Sequence, residues 1–313
     1  MFGTVLKKTV LKRLSLENGT DNFVNEVYSM KVAFFGLGMM GAPMVKNLLK
    51  AGYSVSTCFH PSQNMDLVKD ITAFENFHAY NTNEEAAQDA DCVFTSLPAD
   101  KHITGFLIND SFAASLKEGA VLVETSSCTT QTMEAVADYY ADKKVTVIDA
   151  PISGGVIGAE VGSLTIIAAG SSEGIDKVRP LLEVIGDRIF QLDRCGEGKT
   201  FKNLNNLLLA VNLLAATEMF RIAKKRGVDM ERLYEVVCQS SGASTALKER
   251  WKRMEEGNFG GGFKVSLARK DLESALALAE GIPVPLAALT CELMLANQGN
   301  DDLDLAAMLK LFD

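Results

Sequence analysis

Short apolar runs and longer helix-like segments alternate from Lys31 to about residue 190. The apolar runs predict buried strands at 32–35, 55–59, 92–96, 121–124, 146–149, 164–168 and 188–190. Segments between them, such as 84–89, 130–142 and 174–182, have helical spacing. This alternation predicts a largely parallel sheet with helices on both faces, to which the stretch after Gly170 could add an antiparallel edge.

The pattern changes at 195–198, after which the chain reads as successive helices with no convincing strand. The first predicted helix covers 199–226 and ends at Gly227, a plausible C-cap, and the others cover 230–240, 244–256, 267–280, 285–298 and 305–311. We therefore predict an N-terminal extension (1–30), an α/β Rossmann-type doubly wound domain (31–193) and a smaller all-α domain (194–313).

A glycine motif follows the first predicted strand and leads into a helix-like segment at 42–51. It reads Gly36-Leu37-Gly38-Met39-Met40-Gly41. In this context the first glycine permits a tight turn, the second lets a pyrophosphate approach the backbone, and the third lets the helix pack close to the strand. The motif predicts a dinucleotide site, although an ordinary Gly-rich turn would read the same way.

Composition narrows the functional classes. The 313 residues carry a net charge of −9, and no basic cluster beyond the first fifteen residues suggests a nucleic-acid partner. Six scattered cysteines lack metal-site spacing and predict free thiols in a reducing compartment. The apolar run 204–216 contains Asn205, Asn206 and Asn212, and we expect it to fall short of a membrane span.

The first thirty residues lie outside the dinucleotide pattern. Residues 1–16 contain Lys7, Lys8, Lys12 and Arg13 and no acid, as in an organellar presequence. The simpler alternatives are a disordered extension, or a start codon placed too early with Met30 as the functional start. We expect a cytoplasmic protein, with a mitochondrial location as the alternative.

Polar groups follow several of the predicted strands. Leu97-Pro98 could flank a nicotinamide, or simply end a strand, and the hydroxyl groups near Ser127 could bind a ligand or cap a helix. Ser153-Gly154-Gly155 favours an anion site, because adjacent glycines let backbone N–H groups converge. A substrate carboxylate would suit this turn, although a flexible turn would have the same sequence.

Lys202 and Asn206 are the candidate catalytic pair. They are four residues apart, so both side chains lie on one face of the predicted helix. A lysine partly desolvated in a cleft between domains could exchange a proton near neutrality, and Asn206 could orient the reacting oxygen. A solvated lysine is the alternative for Lys202, and a surface ion pair is the simplest reading of Lys270-Asp271.

Taken together, these motifs resemble the 3-hydroxyisobutyrate dehydrogenase-like family of β-hydroxyacid dehydrogenases. The resemblance runs from Lys31 to the end of the chain. It rests on the glycine motif with Ala42 to Met44 and Asn47-Leu48, on Leu97-Pro98, on Asp149 to Val156 with Gly158-Ala159, on Gly196-x-Gly198, on Lys202-x-x-Asn205-Asn206, and on Phe263 with Lys270-Asp271-Leu272.

The resemblance implies an NAD(P)-dependent enzyme that oxidises short 3-hydroxy acids or reduces the matching semialdehydes. It implies that Lys202 is the general acid/base, that Asn206 positions the substrate, and that Ser153, Gly154 and Gly155 bind its carboxylate. Leu97, Pro98, Ser127 and Lys270 match cofactor-contacting positions. A homodimer or homotetramer built by the helical domain is also implied.

Two departures from the family pattern affect these expectations. Where an acid usually marks NAD or an arginine marks NADP, this chain has Phe59-His60, so the cofactor is NAD or NADP. Glu124 replaces the usual aspartate, which is a mild change.

Other functions remain open at the level of sequence. Within the family they are a glyoxylate, succinic semialdehyde or tartronate semialdehyde reductase. An imine reductase on the same scaffold is disfavoured by Lys202, and a non-catalytic NAD(P)-binding interaction module is disfavoured by the intact lysine and Ser-Gly-Gly turn.

Overall fold

The computed structural model describes residues 30–312, so the predicted extension falls almost wholly outside the described part of the chain. The chain divides into two units between Lys199 and Thr200. We call the part up to Lys199 unit 1 and the part from Thr200 unit 2, and each is described by itself.

Unit 1 contains a nine-stranded sheet in which the order is β3-β2-β1-β4-β5-β6-β8-β7, with β9 also paired to β8. The pairs that join β3 through β6 are parallel, β8 runs antiparallel to β6 and β7, and β9 is parallel to β8. The strands are β1 Lys31–Phe35, β2 Ser54–Cys58, β3 Phe77–Tyr80, β4 Cys92–Thr95, β5 Val121–Glu124, β6 Thr146–Asp149, β7 Ile152–Ser153, β8 Leu164–Ala169 and β9 Gly186–Leu192.

The Rossmann-type fold predicted from the alternating pattern is confirmed. Strands β4 and β5 are buried at every position, as expected for parallel strands covered on both faces. All seven predicted strands are present. After Gly170, strand β9 pairs with β8, and both strands run antiparallel to β6, so the antiparallel edge expected after Gly170 is present, with β8 as a second antiparallel strand. The short strands β3 and β7 have no sequence prediction, because they are half-exposed and lack an apolar run.

Seven α-helices and one 3-10 helix, Met65–Leu67, connect these strands within the described residues of unit 1. The α-helices are α1 Gly41–Ala51, α2 Asn83–Ala87, α3 Asp100–Leu107, α4 Asp110–Ser115, α5 Thr130–Tyr140, α6 Gly155–Val161 and α7 Ser172–Ile185. Helix α1 buries Met44, Val45, Leu48 and Leu49, whose spacing places them on one face. It ends where Gly52 adopts a left-handed φ of 99° and closes the helix through its backbone N–H.

Unit 2 is helical in its described residues. Its helices are α8 Glu197–Lys225, which starts in the last residues of unit 1, then α9 Met230–Cys238, α10 Thr245–Glu256, α11 Val265–Ala277 and α12 Pro285–Ala296. Short 3-10 helices cover Gln298–Asn300 and Leu305–Phe312. The predicted final helix is therefore present as a 3-10 helix. The core of unit 2 surrounds Leu213, Phe220, Trp251 and Leu272.

Helix α8 differs from its prediction in one respect. Its apolar stretch is long and apolar enough to cross a membrane by length and composition, whereas we expected the asparagines to interrupt it too often. A core helix of a soluble protein passes the same test, and α8 contributes Leu213 and Phe220 to the core of unit 2.

Candidate active site

The glycine turn between β1 and α1 has the geometry that its sequence pattern predicts. Gly36 has a φ of 97°, and a Cβ there would lie 2.1 Å from the backbone oxygen of Ser96. A Cβ on Gly41 would lie 1.9 Å from the backbone oxygen of Gly36, whereas a Cβ on Gly38 meets no described atom within 4 Å. Packing therefore requires Gly36 and Gly41, and Gly38 leaves an open space beside the turn.

This turn fits the pyrophosphate of a dinucleotide. The backbone N–H of Ala42 donates to the carbonyl oxygen of Gly38 (3.0 Å), so the hydrogen bonding of α1 begins at Gly38. The first turn of α1 contains no acidic residue, which leaves its positive end available to an anion. The side chain of Leu37 is buried in the core, so only its backbone could face a dinucleotide, while Met39 is exposed and Met40 half-buried.

The loop after β2 contacts the glycine turn. Gln63 Nε2 donates to the carbonyl oxygen of Leu37 (2.9 Å). Phe59 packs against the core, whereas His60 is exposed and its Nδ1 accepts from the backbone N–H of Ser62 (3.2 Å). Residues 59–63 contain no carboxylate. The loop therefore lacks the acid that would accept a hydrogen bond from a ribose 2′-hydroxyl.

The turns after β4 and β5 are joined by a hydrogen bond. The backbone N–H of Leu97 donates to Ser126 Oγ (2.7 Å), and that hydroxyl donates to Glu124 Oε1. Pro98 is exposed and Ser127 is half-buried. Leu97, Pro98 and Ser127 thus lie on connected turns at the carboxyl ends of parallel strands, where ligands bind in such sheets.

The Ser153-Gly154-Gly155 turn links a strand to a helix. Ser153 ends β7 opposite Thr165, and Gly155 begins α6. Gly154 and Gly155 have φ values of 134° and 62°, which side chains rarely allow, and both glycines are exposed. The two backbone groups are accordingly accessible to an anion, as the anion interpretation requires.

Lys202 and Asn206 lie one turn apart on α8, as predicted, and both are buried, with 7% and 4% of their surface exposed. Asn206 Nδ2 donates to Asp271 Oδ2 (2.6 Å), and its Oδ1 accepts from Asn205 Nδ2 (3.2 Å). The amide of Asn206 is thereby held in one orientation.

Asp271 connects this pair to Lys270. Its Oδ1 lies 3.3 Å from Lys270 Nζ, and its side chain is 2% exposed. The ion pair between Lys270 and Asp271 is therefore present, but the expectation that it lies on the surface is wrong, because Asp271 is buried. Asp271 is a candidate site residue that spacing alone misses, because its partner Asn206 is 65 positions away along the chain.

A second lysine, Lys199, is completely buried at the start of α8. Its Nζ lies 2.7 Å from Glu124 Oε2 and 2.8 Å from Asp149 Oδ1. Burial lowers the pKa of Lys199, but the charges of Asp149 and Glu124 outweigh it and hold that pKa above its ordinary value. Lys199 therefore stays protonated near neutrality and is no proton donor or acceptor there.

Two cysteines near Lys199, Cys128 and Cys195, are not activated nucleophiles. All six are free thiols, as predicted. Burial raises the pKa of Cys195 to about 12 and that of Cys128 further still. Between 30 and 312, no group of three His, Cys, Asp or Glu residues could hold a metal ion.

Two family descriptions match consecutive parts of the chain. Residues 31–193 match the NAD binding domain of 6-phosphogluconate dehydrogenase, and residues 196–312 match the NAD-binding domain of NADP-dependent 3-hydroxyisobutyrate dehydrogenase.

Curated relatives and a solved structure agree with these matches. The chain is 34% identical over 298 residues to an NAD-dependent L-serine dehydrogenase of Pseudomonas aeruginosa, covering 90% of this chain and 98% of the relative. It is also 34% identical over 296 residues to a 3-hydroxyisobutyrate dehydrogenase of that organism, with the same coverage. A Mycobacterium tuberculosis 3-hydroxyisobutyrate dehydrogenase solved with L-serine superposes with a TM-score of 0.81 at 26% identity, covering 91% of this chain and 99% of that one.

The glycine turn, the buried lysine–asparagine pair and these matches confirm the resemblance. The chain belongs to the 3-hydroxyisobutyrate dehydrogenase-like family of β-hydroxyacid dehydrogenases, which are NAD(P)-dependent oxidoreductases.

Proposed function

We propose that this enzyme interconverts a short 3-hydroxy acid and its semialdehyde, with Lys202 as the general acid/base. The observation that carries the proposal is the buried pair on α8, in which Asn206 is oriented by Asp271 and Lys202 lies one turn away. A buried lysine beside a fixed amide is suited to moving a proton at a hydroxyl or carbonyl oxygen.

Lys202 would act at the oxygen of the reacting carbon. In the oxidation, neutral Nζ accepts the hydroxyl proton while a hydride leaves the same carbon, and in the reduction the ammonium returns the proton to the carbonyl oxygen. The nicotinamide, when bound, takes up or supplies that hydride. Asn206 would hold the same oxygen with a neutral hydrogen bond, in the direction set by Asp271 and Asn205.

The substrate carboxylate would bind at Ser153, Gly154 and Gly155. The exposed glycines permit close approach of an anion to the backbone, and the Ser153 hydroxyl can donate a further hydrogen bond. A carboxylate bound there would orient a short acid, because it fixes one end of the molecule while the proton is moved at the other.

The dinucleotide would bind along the carboxyl edge of the sheet. Gly36 to Gly41 would hold the pyrophosphate, Phe59 and His60 would flank the adenosine ribose, and Leu97, Pro98, Ser127 and Lys270 would contact the remainder. The cofactor is NAD or NADP. The absence of a carboxylate in residues 59–63 removes one source of repulsion against a 2′-phosphate without supplying the arginine that usually binds it.

The substrate belongs to the short β-hydroxy acids and their semialdehydes. Hydroxyisobutyrate is the leading candidate, and the alternatives are the reduction of glyoxylate, succinic semialdehyde or tartronate semialdehyde. An imine reductase role is disfavoured by Lys202, and a non-catalytic NAD(P)-binding role by the intact Lys202/Asn206 pair.

We infer a homodimer or homotetramer as the working form, supported by exposed apolar side chains on α8 and α12. We further infer a cytoplasmic location, with a mitochondrial one as the alternative if the first thirty residues form a presequence.

A steady-state screen of these acids and aldehydes with both cofactors tests the proposal. We expect turnover of at least one short 3-hydroxy acid or its semialdehyde, with a clear preference for one cofactor. Binding of NAD(P)H without turnover of any member would contradict the proposed activity and favour the non-catalytic role. Turnover of cyclic imines alone would favour the imine reductase.

A further inference from the structure

Lys199 is a buried charge that the proposed chemistry does not use. Together with Glu124 and Asp149 it forms a cluster in which no side chain is exposed, which we call the buried triad. Buried ion pairs rarely add net stability compared with apolar residues, because removing charges from water is costly. A role in holding the surrounding backbone in one position would explain why three charged groups meet here.

One branch of the triad fixes the start of α8. Asp149 ends β6, and its Oδ2 accepts from the backbone N–H groups of Gly196 and Lys199, both at 3.0 Å. A Cβ on Gly198 would lie 2.8 Å from that oxygen, so the carboxylate is in close contact with the first turn of the helix. The Nζ atom of Lys199 lies 2.8 Å from the other carboxylate oxygen, Asp149 Oδ1.

The second carboxylate of the triad, Glu124, is connected to the turn after β4. Glu124 ends β5, and its Oε1 accepts from the backbone N–H of Ser126 (3.0 Å) and from its hydroxyl. Ser126 accepts from the backbone N–H of Leu97, and Leu97 Cδ2 lies 3.3 Å from the place of a Cβ on Gly36. Hydrogen bonds and an ion pair therefore connect Leu97, in the turn after β4, through Ser126 and Glu124 to Lys199.

We propose that Lys199 is a positioning residue: its ammonium fixes the first turn of α8 to the ends of β5 and β6. It thereby sets where Lys202, three residues further along that helix, holds its proton. This inference rests on the proposed role of Lys202. Errors of about 1 Å in the placement of a reacting group can lower turnover by about 100-fold.

Two variants distinguish an effect of the position of α8 from an effect of the net charge of the triad. The triad has two carboxylates and one ammonium, so its net charge is −1. Lys199→Gln makes the net charge −2, whereas Lys199→Gln/Glu124→Gln restores −1 and leaves the bonds from Asp149 to the helix backbone in place. The matched control is Arg194→Gln, which removes an exposed ion pair with Glu197 (2.9 Å) at the same end of α8.

We expect both triad variants to lower kcat by about 100-fold, with an unchanged dissociation constant for NAD(P)H, while Arg194→Gln behaves as the wild type. Recovery of kcat in the double variant would show that only charge matters and would overturn the inference. Wild-type kcat in the single variant would overturn it as well.

Glu124→Gln alone covers the case in which these variants fail to fold. It keeps the shape of the side chain and the pair between Lys199 and Asp149, and it replaces the charged oxygen 2.7 Å from Lys199 Nζ by a neutral amide, so we expect folded protein with reduced kcat. Folding is checked by NAD(P)H binding and by the thermal midpoint. A folded Glu124→Gln protein with wild-type kcat would contradict the positioning role.

A readout without turnover distinguishes this inference from the proposed function. If the wild type turned over no hydroxy acid, the proposed function would fail. The Cε signal of Lys202 in 13C-lysine-labelled protein, assigned by its loss in Lys202→Ala, would then test the triad. We expect that signal to shift in the double variant and not in Arg194→Gln. An unchanged signal in the double variant would overturn the inference.

Discussion

Gly38 and Gly41 belong to one motif but are constrained by different contacts. A side chain on Gly38 meets open space, whereas a Cβ on Gly41 would lie 1.9 Å from a backbone oxygen. We expect Gly38→Val to keep the thermal midpoint and to abolish detectable NAD(P)H binding. Gly41→Ala should instead destabilise unit 1 by about 1–3 kcal/mol, the usual effect of overpacking. Calorimetry and a fluorescence titration check both, and unaltered NAD(P)H affinity in Gly38→Val would refute the assignment of the turn.

Asp271 orients the amide of Asn206 through the 2.6 Å hydrogen bond. Asp271→Asn replaces a charged acceptor by a neutral amide, and a hydrogen bond to a charged group contributes about 1.5–3 kcal/mol. We expect kcat to fall by about 10- to 100-fold, the rate equivalent of that energy. Glu273→Gln, on the same helix but half exposed, is the control and should leave kcat as it is. Equal kcat values in the two variants would remove Asp271 from the site.

For individual residues, the sequence predicts those that lie within motifs but not the residues that form hydrogen bonds with them. Spacing places Lys202 and Asn206 on one face of a helix, and the structure has them there. Asp271 and Ser126 escape prediction because each acts through a residue distant in sequence, Asn206 in one case and Leu97 in the other. A contact across 65 positions has no periodic signal.

Among elements, the 3-10 helix Leu305–Phe312 is anchored by Asp304. Asp304 accepts from the backbone N–H groups of Phe263 and Ala306 (both 2.9 Å), and its Oδ1 lies 3.6 Å from Arg250 Nε. Both side chains of the ion pair are buried. Removing the carboxylate would leave a buried guanidinium and two backbone donors without this acceptor.

We expect Asp304→Ala to destabilise unit 2 by about 3–5 kcal/mol, as the loss of one partner of a buried ion pair usually does. Trp251, the single tryptophan of the chain, packs against Phe220 in the core of unit 2, so its fluorescence reports the unfolding of this unit in urea. Asp302→Ala, which removes a carboxylate that is 91% exposed, is the control. Equal urea midpoints for the two variants would contradict the anchoring role.

Elements with strong periodicity are predictable and short ones are not. The apolar runs of β4 and β5 and the amphipathic spacing of α1 all predict their structures. Helix α6 and strand β7 do not appear in the prediction, because seven and two residues are too few to establish a period. The glycines predict the Ser153–Gly155 turn, whereas the strand and the helix that position it have no comparable sequence signal.

At the scale of the whole molecule, exposed apolar surface on unit 2 supports an oligomer. Ile222 is 64% exposed on α8, beside Met219, Val228 and Leu233. We expect the wild type to have the mass of a dimer or tetramer in light scattering, and Ile222→Glu to shift it to a smaller species. Lys224→Gln, an exposed neighbour on the same helix, should leave the mass unchanged. An identical mass for Ile222→Glu would exclude this surface from the interface.

For the whole molecule, too, features that rest on patterns within the sequence are predictable, and features that rest on contacts between distant residues are not. Fold class and family are predictable because they rest on repeated patterns and ordered motifs. The choice of acid depends on side chains brought together from different segments, and the choice of cofactor depends on a loop whose residues 59–63 carry neither usual marker.

The central claim is that Lys202 moves the proton, and Lys202→Ala tests it most directly. The variant is compared with Lys225→Ala, which removes an exposed lysine at the other end of α8. Steady-state turnover and NAD(P)H binding are measured on the same preparations. We expect kcat to fall by about 100- to 10,000-fold, the usual contribution of a general acid/base, with NAD(P)H affinity retained and Lys225→Ala fully active. A Lys202→Ala enzyme with wild-type kcat would contradict the account.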